Sequence, residues 1–427
     1  MDPQTLPKRK SCSGRSRPKP RNPGDIRPTD VVGAFFLAGA FFLAAAAICA
    51  IWQTVDPWLW GRWLALHLAF VGGVSQLILG ASQFFAGAFL ATEPPPRSLV
   101  RGQLIAWNLG TVLLAIAVPT STSLMLWASI ALLMSALGLW IVAILRMRRG
   151  SLSKAPWATR WYVTCVVFFA AGMIVGSLMA DRVYWSHGFL LGAHMSLNLA
   201  GFFGTAIVGT LHTFYPSLTQ TQLRFPEMQR VSYGSWASGV LALAIGYAWS
   251  IDGLAVTGWI ALTVGAMALL INLVDCRRRA GNELSLAARI VGAAQPLLLA
   301  GLLVISTAAI VDGPALALSG STRIAVGTLL VVGWIGLTVI GSLLHLLAVV
   351  VRVRSFTVPM PRARPRADFI AAVAATASVA CLAACQLTDQ QALAELVRIA
   401  VLTVYIYLGA TVALRVSKVI RSARPRI

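Results

Sequence analysis

The sequence predicts an all-α fold, a polytopic membrane bundle of about twelve transmembrane helices in three pseudo-repeated quartets. Three observations predict it. Hydrophobic residues make up 58% of the 427 and charged residues 11%, where a soluble domain carries about 25% charge. Twelve apolar stretches follow one another, at approximately 31–52, 60–90, 103–119, 124–145, 160–180, 185–215, 231–250, 254–274, 286–310, 324–351, 368–386 and 393–414. Most approach the ~20 residues a helix needs to cross a ~30 Å hydrocarbon core. Basic residues gather in alternate connections, and glycine-rich runs recur four helices apart. A mean hydropathy of +0.77 excludes a disordered, collagen-like or water-soluble chain.

Each element has its own justification. Residues 1–30 are a basic tail (Lys8, Arg9, Lys10, Arg15, Arg17, Lys19, Arg21, Arg27) too polar to bury a core, and are expected to be disordered and cytoplasmic. The first apolar run, about 22 residues, exceeds a signal peptide's apolar region and shows no small-residue cleavage site before Asp56, so it reads as a retained helix. Residues 31–416 form the twelve-helix domain, and 417–427 a second basic cytoplasmic tail. With the N-terminus inside, 31 Lys and Arg fall on the inner side and only Arg62, Arg182, Arg323 and Arg398 on the outer, an asymmetry that sets orientation in a cell's inner (plasma) membrane. The net charge of +21 is then a topology signal and an inner surface suited to anionic lipid headgroups. No nucleic-acid partner is needed.

The six cysteines lie in the inner tail, in spans or at an inner helix end, so a disulfide framework is not expected. Cys381 and Cys385 share a helix face and read as small packing units. Trp58, Trp60, Trp63, Trp157, Trp161 and Trp185 stand at span ends, where an interfacial belt accounts for them.

The chain resembles itself at an interval of four helices. Helix six contains Gly201, Phe202, Phe203, Gly204, then Ile207, Val208, Gly209, Thr210 and Leu211. Helix ten contains Gly333, Trp334, Ile335, Gly336, then Val339, Ile340, Gly341, Ser342 and Leu343. The runs are 132 residues apart, and His67, Gly73 and Gly80 on helix two make a weaker third copy. Small residues at such spacings also serve ordinary close packing in lipid. That leaves unexplained why four of the five histidines share helices two, six and ten.

No Asp or Glu falls in the middle of a span, which weakens a proton- or cation-coupled transporter. Histidine remains: in hydrocarbon it must be hydrogen-bonded or ligated. His194 and His212 are 18 residues apart, five α-helical turns, so both point to one side of helix six with Asn198, Gly201 and Thr205. They stand about 27 Å apart along the axis and cannot share an ion. Two layers follow, His67 and His194 in the outer half, His212 and His345 towards the inner face. Each also reads as a buried hydrogen-bonder, and for His212 and His345 lipid headgroups could serve as partners. His187, after Trp185, reads as exposed or at headgroup level.

Twelve helices in three quartets with histidines on helices two, six and ten resemble the heme-copper oxidase subunit I superfamily, especially its divergent NnrS-like branch of heme- and copper-containing membrane proteins linked to nitric oxide stress. The run from His194 through Asn198, Gly201, Gly204, Gly209 and His212 to Pro216 is similar to actinobacterial membrane proteins associated with copper oxidases or nitrite reductases. The resemblance spans roughly residues 31–416. It implies heme b and/or copper, with His67 and His194 as cofactor-binding residues and His67, His194, His212 and His345 as the metal-ligand candidates. Helix seven carries no histidine and helix ten only one. The implication is therefore a reduced site, such as a heme b between His67 and His194, rather than an oxygen-reducing binuclear centre.

The function expected from this resemblance is handling of electrons, nitric oxide or copper, with a redox partner protein. A small-solute transporter and a non-catalytic membrane scaffold are the alternatives. No Walker loop, HExxH, GxSxG or kinase signature is present, and no catalytic residue is assigned.

Overall fold

The computed structural model describes residues 28–151, 156–281, 284–354 and 364–422. Most of the expected tail 1–30 and the last residues of 417–427 lie outside the described residues. Pro28 to Asp30 already belong to the first helix, and the last continues to Ser422. Among the described residues there is no strand, and twelve long helices form the bundle. They are α1 (Pro28–Val55), α2 (Gly61–Leu90), α3 (Arg97–Ala117), α4 (Ser123–Arg149), α5 (Pro156–Ala180), α6 (Leu190–Thr219), α7 (Pro226–Ala248), α8 (Asp252–Arg279), α9 (Leu286–Val311), α10 (Gly320–Arg352), α11 (Pro365–Leu387) and α12 (Gln391–Ser422). Eleven are long and apolar enough to cross a membrane. The other, α7, has 23 residues and thus the length, but Glu227, Gln229, Arg230 and several Ser and Gly lower its hydropathy.

Odd-to-even connections share one end of the bundle. The Ser123 hydroxyl and the Trp127 indole N–H (3.0 Å) donate to the Asp181 carboxylate, joining the α3–α4 turn to the α5–α6 connection. Trp185 Nε1 donates to the Ala248 carbonyl at 2.7 Å and the Phe189 amide to Tyr247 at 2.7 Å, joining that connection to the α7–α8 turn. The Tyr247 hydroxyl donates to Pro314 O at 3.1 Å, reaching the one-turn helix Pro314–Ala317 before α10. The Ser123 and Trp127 hydrogen bonds hold the Asp181 carboxyl below the usual carboxylate range. A depressed carboxyl stabilises above its unfolded pKa and loses that contribution as pH falls, so this stitch weakens on acidification.

The second helix of each quartet is its hub. Thus α2 touches α1, α3 and α4; α6 touches α5, α7 and α8; and α10 touches α9, α11 and α12. In the most apolar stretch of α6, 67% of residues are buried, and in α10 61%, against 11% in the peripheral α12. The C-terminal halves of the three hubs meet around an apolar cavity of about 80 Å³ bordered by Phe85, Phe214 and Leu343.

The hubs share a feature that glycine spacing did not announce. Each is interrupted by a π-helical segment, Leu68–Val74 in α2, Ser196–Gly204 in α6 and Thr328–Gly336 in α10. Such segments are rare and concentrate at functional sites. The repeated Gly–aromatic–Ile/Phe–Gly runs are the closing turns of the second and third. Three π segments at corresponding positions give the three-unit repeat a backbone signature.

Helix α6 also runs through Pro216 to Thr219 rather than stopping before it. The ring costs one backbone hydrogen bond and frees the His212 carbonyl four residues back.

Candidate functional site

The π segments govern where the outer histidines point. His67 is the last α-helical residue before Leu68, and His194 lies two residues before Ser196. The widened turn that follows each imidazole changes its angular phase relative to the rest of its helix.

His67 and His194 face each other across α2 and α6, with ring centroids 6.4 Å apart and planes inclined by 23°. Trp63 stacks on His67 at 4.1 Å and 24°. It is half-buried against the site, so it supports the ring as well as standing at a span end.

The protonation of both rings follows from their partners. His67 Nδ1 lies 2.8 Å from the Trp63 carbonyl oxygen, and His194 Nδ1 lies 2.9 Å from the Gly172 carbonyl oxygen on α5. A carbonyl can only accept, so each Nδ1 carries the proton and each Nε2 keeps a lone pair. Neither Nε2 has a hydrogen-bond partner among the described residues. Asn198 Nδ2 donates to the His194 carbonyl at 2.7 Å; its 3.2 Å approach to Nδ1 sets one donor against another and adds no hydrogen bond in this tautomer.

Glycines on α5 make room for this arrangement. A Cβ at Gly176 would stand 2.6 Å from His194 Cε1, and one at Gly172 would stand 2.5 Å from Asn198 Nδ2. Helical period alone does not reveal these two positions, because their neighbours come from another helix.

The other histidines stand apart. His212 is buried in the C-terminal half of α6, stacked on Trp161 at 6.2 Å and 28°. Both its ring nitrogens and Trp161 Nε1 lack hydrogen-bond partners. Headgroups therefore do not satisfy His212, and Trp161 is no interfacial residue: at 0% exposure it is covered by Tyr233 of α7 at 5.0 Å as well as by α6. His345 on α10 meets Phe214 edge-on at 5.6 Å. His187 is exposed beside Trp185 at 5.1 Å. Among the described residues no three His, Cys, Asp or Glu gather into a metal-binding group. Of the four candidate ligands, then, the structure brings together His67 and His194.

The cost carried by His212 is measurable. Unpartnered buried polar groups cost about 1–3 kcal/mol each, so His212→Leu, close in volume and free of orphan atoms, should raise thermal stability by about that amount in detergent. A lower melting temperature would show that the imidazole is held by a partner.

No protein-family model matches the chain, and no curated protein matches it.

Proposed function

We propose that this integral membrane protein holds a heme b between His67 and His194 and works in electron, nitric oxide or copper handling, as its resemblance to the heme-copper oxidase superfamily implies. The observation that carries the reading is the facing imidazole pair, 6.4 Å between centroids. A metal held by both would lie in the plane of each ring, along its Nε2 lone pair, so loading the site would require these stacked rings to turn about their side-chain torsions. Each Nδ1–H is anchored to a backbone carbonyl, the outer-shell bond that metal-ligating histidines nearly always make.

Heme is favoured over copper by the number of donors. A porphyrin supplies four nitrogens and needs two more, whereas copper sites usually draw three or more ligands from the protein. The described residues offer a pair and no triad. The chain's own residues would set the axial field and the ring orientation, with Trp63 closing the α2 side. Termini in the cytoplasm and a plasma-membrane location belong to the same reading, supported by the 31 inner and four outer basic residues.

The test is the visible spectrum of detergent-purified protein from a heme-replete host, with iron and copper by elemental analysis. A Soret band is expected, falling about tenfold or more per protein in His67→Ala or His194→Ala and unchanged in His187→Ala. Colourless wild-type protein without iron would overturn the reading, and copper in its place would reassign the pair to that metal.

A further inference from the structure

The outer-half interface between the second and third quartets corresponds to the one that holds His67 and His194 between the first and second. Here the facing imidazoles are missing. At the position on α10 that His67 occupies on α2, immediately before the π segment, stands Gly327. A Cβ there would meet nothing within 4 Å, although the residue is half-buried. Gly327 opens onto a crevice between α6 and α10 lined by Trp236, Trp259, Leu302 and Trp334, with Arg323 at its edge.

The chemistry of the lining selects the occupant. All three indole N–H groups are already used, Trp236 on the Ala200 carbonyl at 3.0 Å, Trp259 on the Tyr247 hydroxyl at 2.9 Å and Trp334 on Gln295 Oε1 at 3.0 Å. The rings therefore present apolar surface to the crevice. Arg323 is exposed one turn above Gly327 and makes no ion pair with any described carboxylate. Leu316 and Ile324 beside it are exposed, at 63% and 51%, as residues meeting lipid are. An apolar slot, an unpaired cation one helical turn away and bilayer alongside together match an amphiphile with one negative charge at its head.

We propose that this crevice, about 80 Å³, takes the first few methylenes of one acyl chain of an anionic phospholipid whose headgroup pairs with Arg323. The lipid fills the space beside Gly327 and ties the second quartet to the third, independently of any cofactor at His67 and His194.

The test is native mass spectrometry of the full chain released from micelles containing equal phosphatidylglycerol and phosphatidylcholine. Wild type should retain one lipid and prefer the anionic one about fivefold, the factor that corresponds to one basic side chain near a charged headgroup. Arg323→Gln should bring the preference to parity and Arg323→Lys should keep it. Gly327→Phe, filling the slot, should lose the retained lipid. Wild type that retains no lipid, or Arg323→Gln protein with the wild-type preference, would overturn the proposal. Because Arg323 is exposed, that variant decides the matter even if Gly327→Phe does not fold.

Discussion

Gly209→Leu should abolish folded protein, and Gly209→Ala should lower stability by about 3 kcal/mol, the upper end of the usual cost of overpacking. A Cβ at this position would stand 2.3 Å from Trp161 Cγ and 2.5 Å from its Cβ. Those atoms belong to the root of the side chain and cannot swing aside. The ring itself is confined by Tyr233, edge-on at 5.0 Å and 87°, whose hydroxyl is tied to Thr164 at 2.8 Å. Relief would require α5 and α6 to separate, which forfeits contacts along both. Gly138 and Gly234, where a Cβ meets nothing within 4 Å, are the controls. Alanine at either should be neutral or stabilising by up to about 1 kcal/mol, since glycine inside a helix is the poorer choice. Detergent thermal melts followed by size-exclusion chromatography read all four, and a Gly209→Ala protein that melts with wild type would refute the account.

Gly209 also shows what was legible in the chain. Its place in a repeated run marked α6 as a member of a recurring unit, and apolar runs marked twelve helices, eleven of them long and apolar enough to cross a membrane, because that crossing imposes a residue count that sequence displays directly. The positions of His67 and His194 on corresponding helices were visible too, and the structure places their rings opposite each other. Their supports were not visible. Gly172 and Gly176 matter because of α6, and the Trp63 carbonyl matters because of a ring tautomer; both are tertiary facts. Nearness to a span end suggests an interfacial Trp161, but α6 and α7 cover that end of α5. The π segments escaped a reading built on a 3.6-residue period. One signal pointed to them: Trp107 and Trp236 are 129 residues apart, the same offset as Gly80 and Gly209.

Those two tryptophans carry the other large expected effect. Trp107 Nε1 on α3 donates to the Val71 carbonyl in the first π segment at 2.9 Å, and Trp236 Nε1 on α7 donates to the Ala200 carbonyl in the second at 3.0 Å. In the third, the Tyr405 hydroxyl on α12 reaches the Val332 carbonyl. A π turn leaves a carbonyl without its α-helical donor, and hydrocarbon offers no water to replace it, so a donor from another helix of the quartet is the remedy each unit adopts. Trp236→Ala should cost about 3–5 kcal/mol through the cavity it leaves. The phenylalanine variants isolate the hydrogen bond, worth about 0.6–2 kcal/mol between membrane helices. Their order is the sharper expectation. The Ala200 carbonyl also accepts from Thr205 Oγ1 at 3.3 Å, while the Val71 carbonyl has no second side-chain donor among the described residues. Trp107→Phe should therefore cost more than Trp236→Phe. It should also loosen the turn directly below His67 and, on the heme reading proposed above, lower heme retention at temperatures where the bundle is still folded. Equal melting temperatures for the two phenylalanine variants would refute the order, and variants that both melt with wild type would leave the π segments held by packing alone.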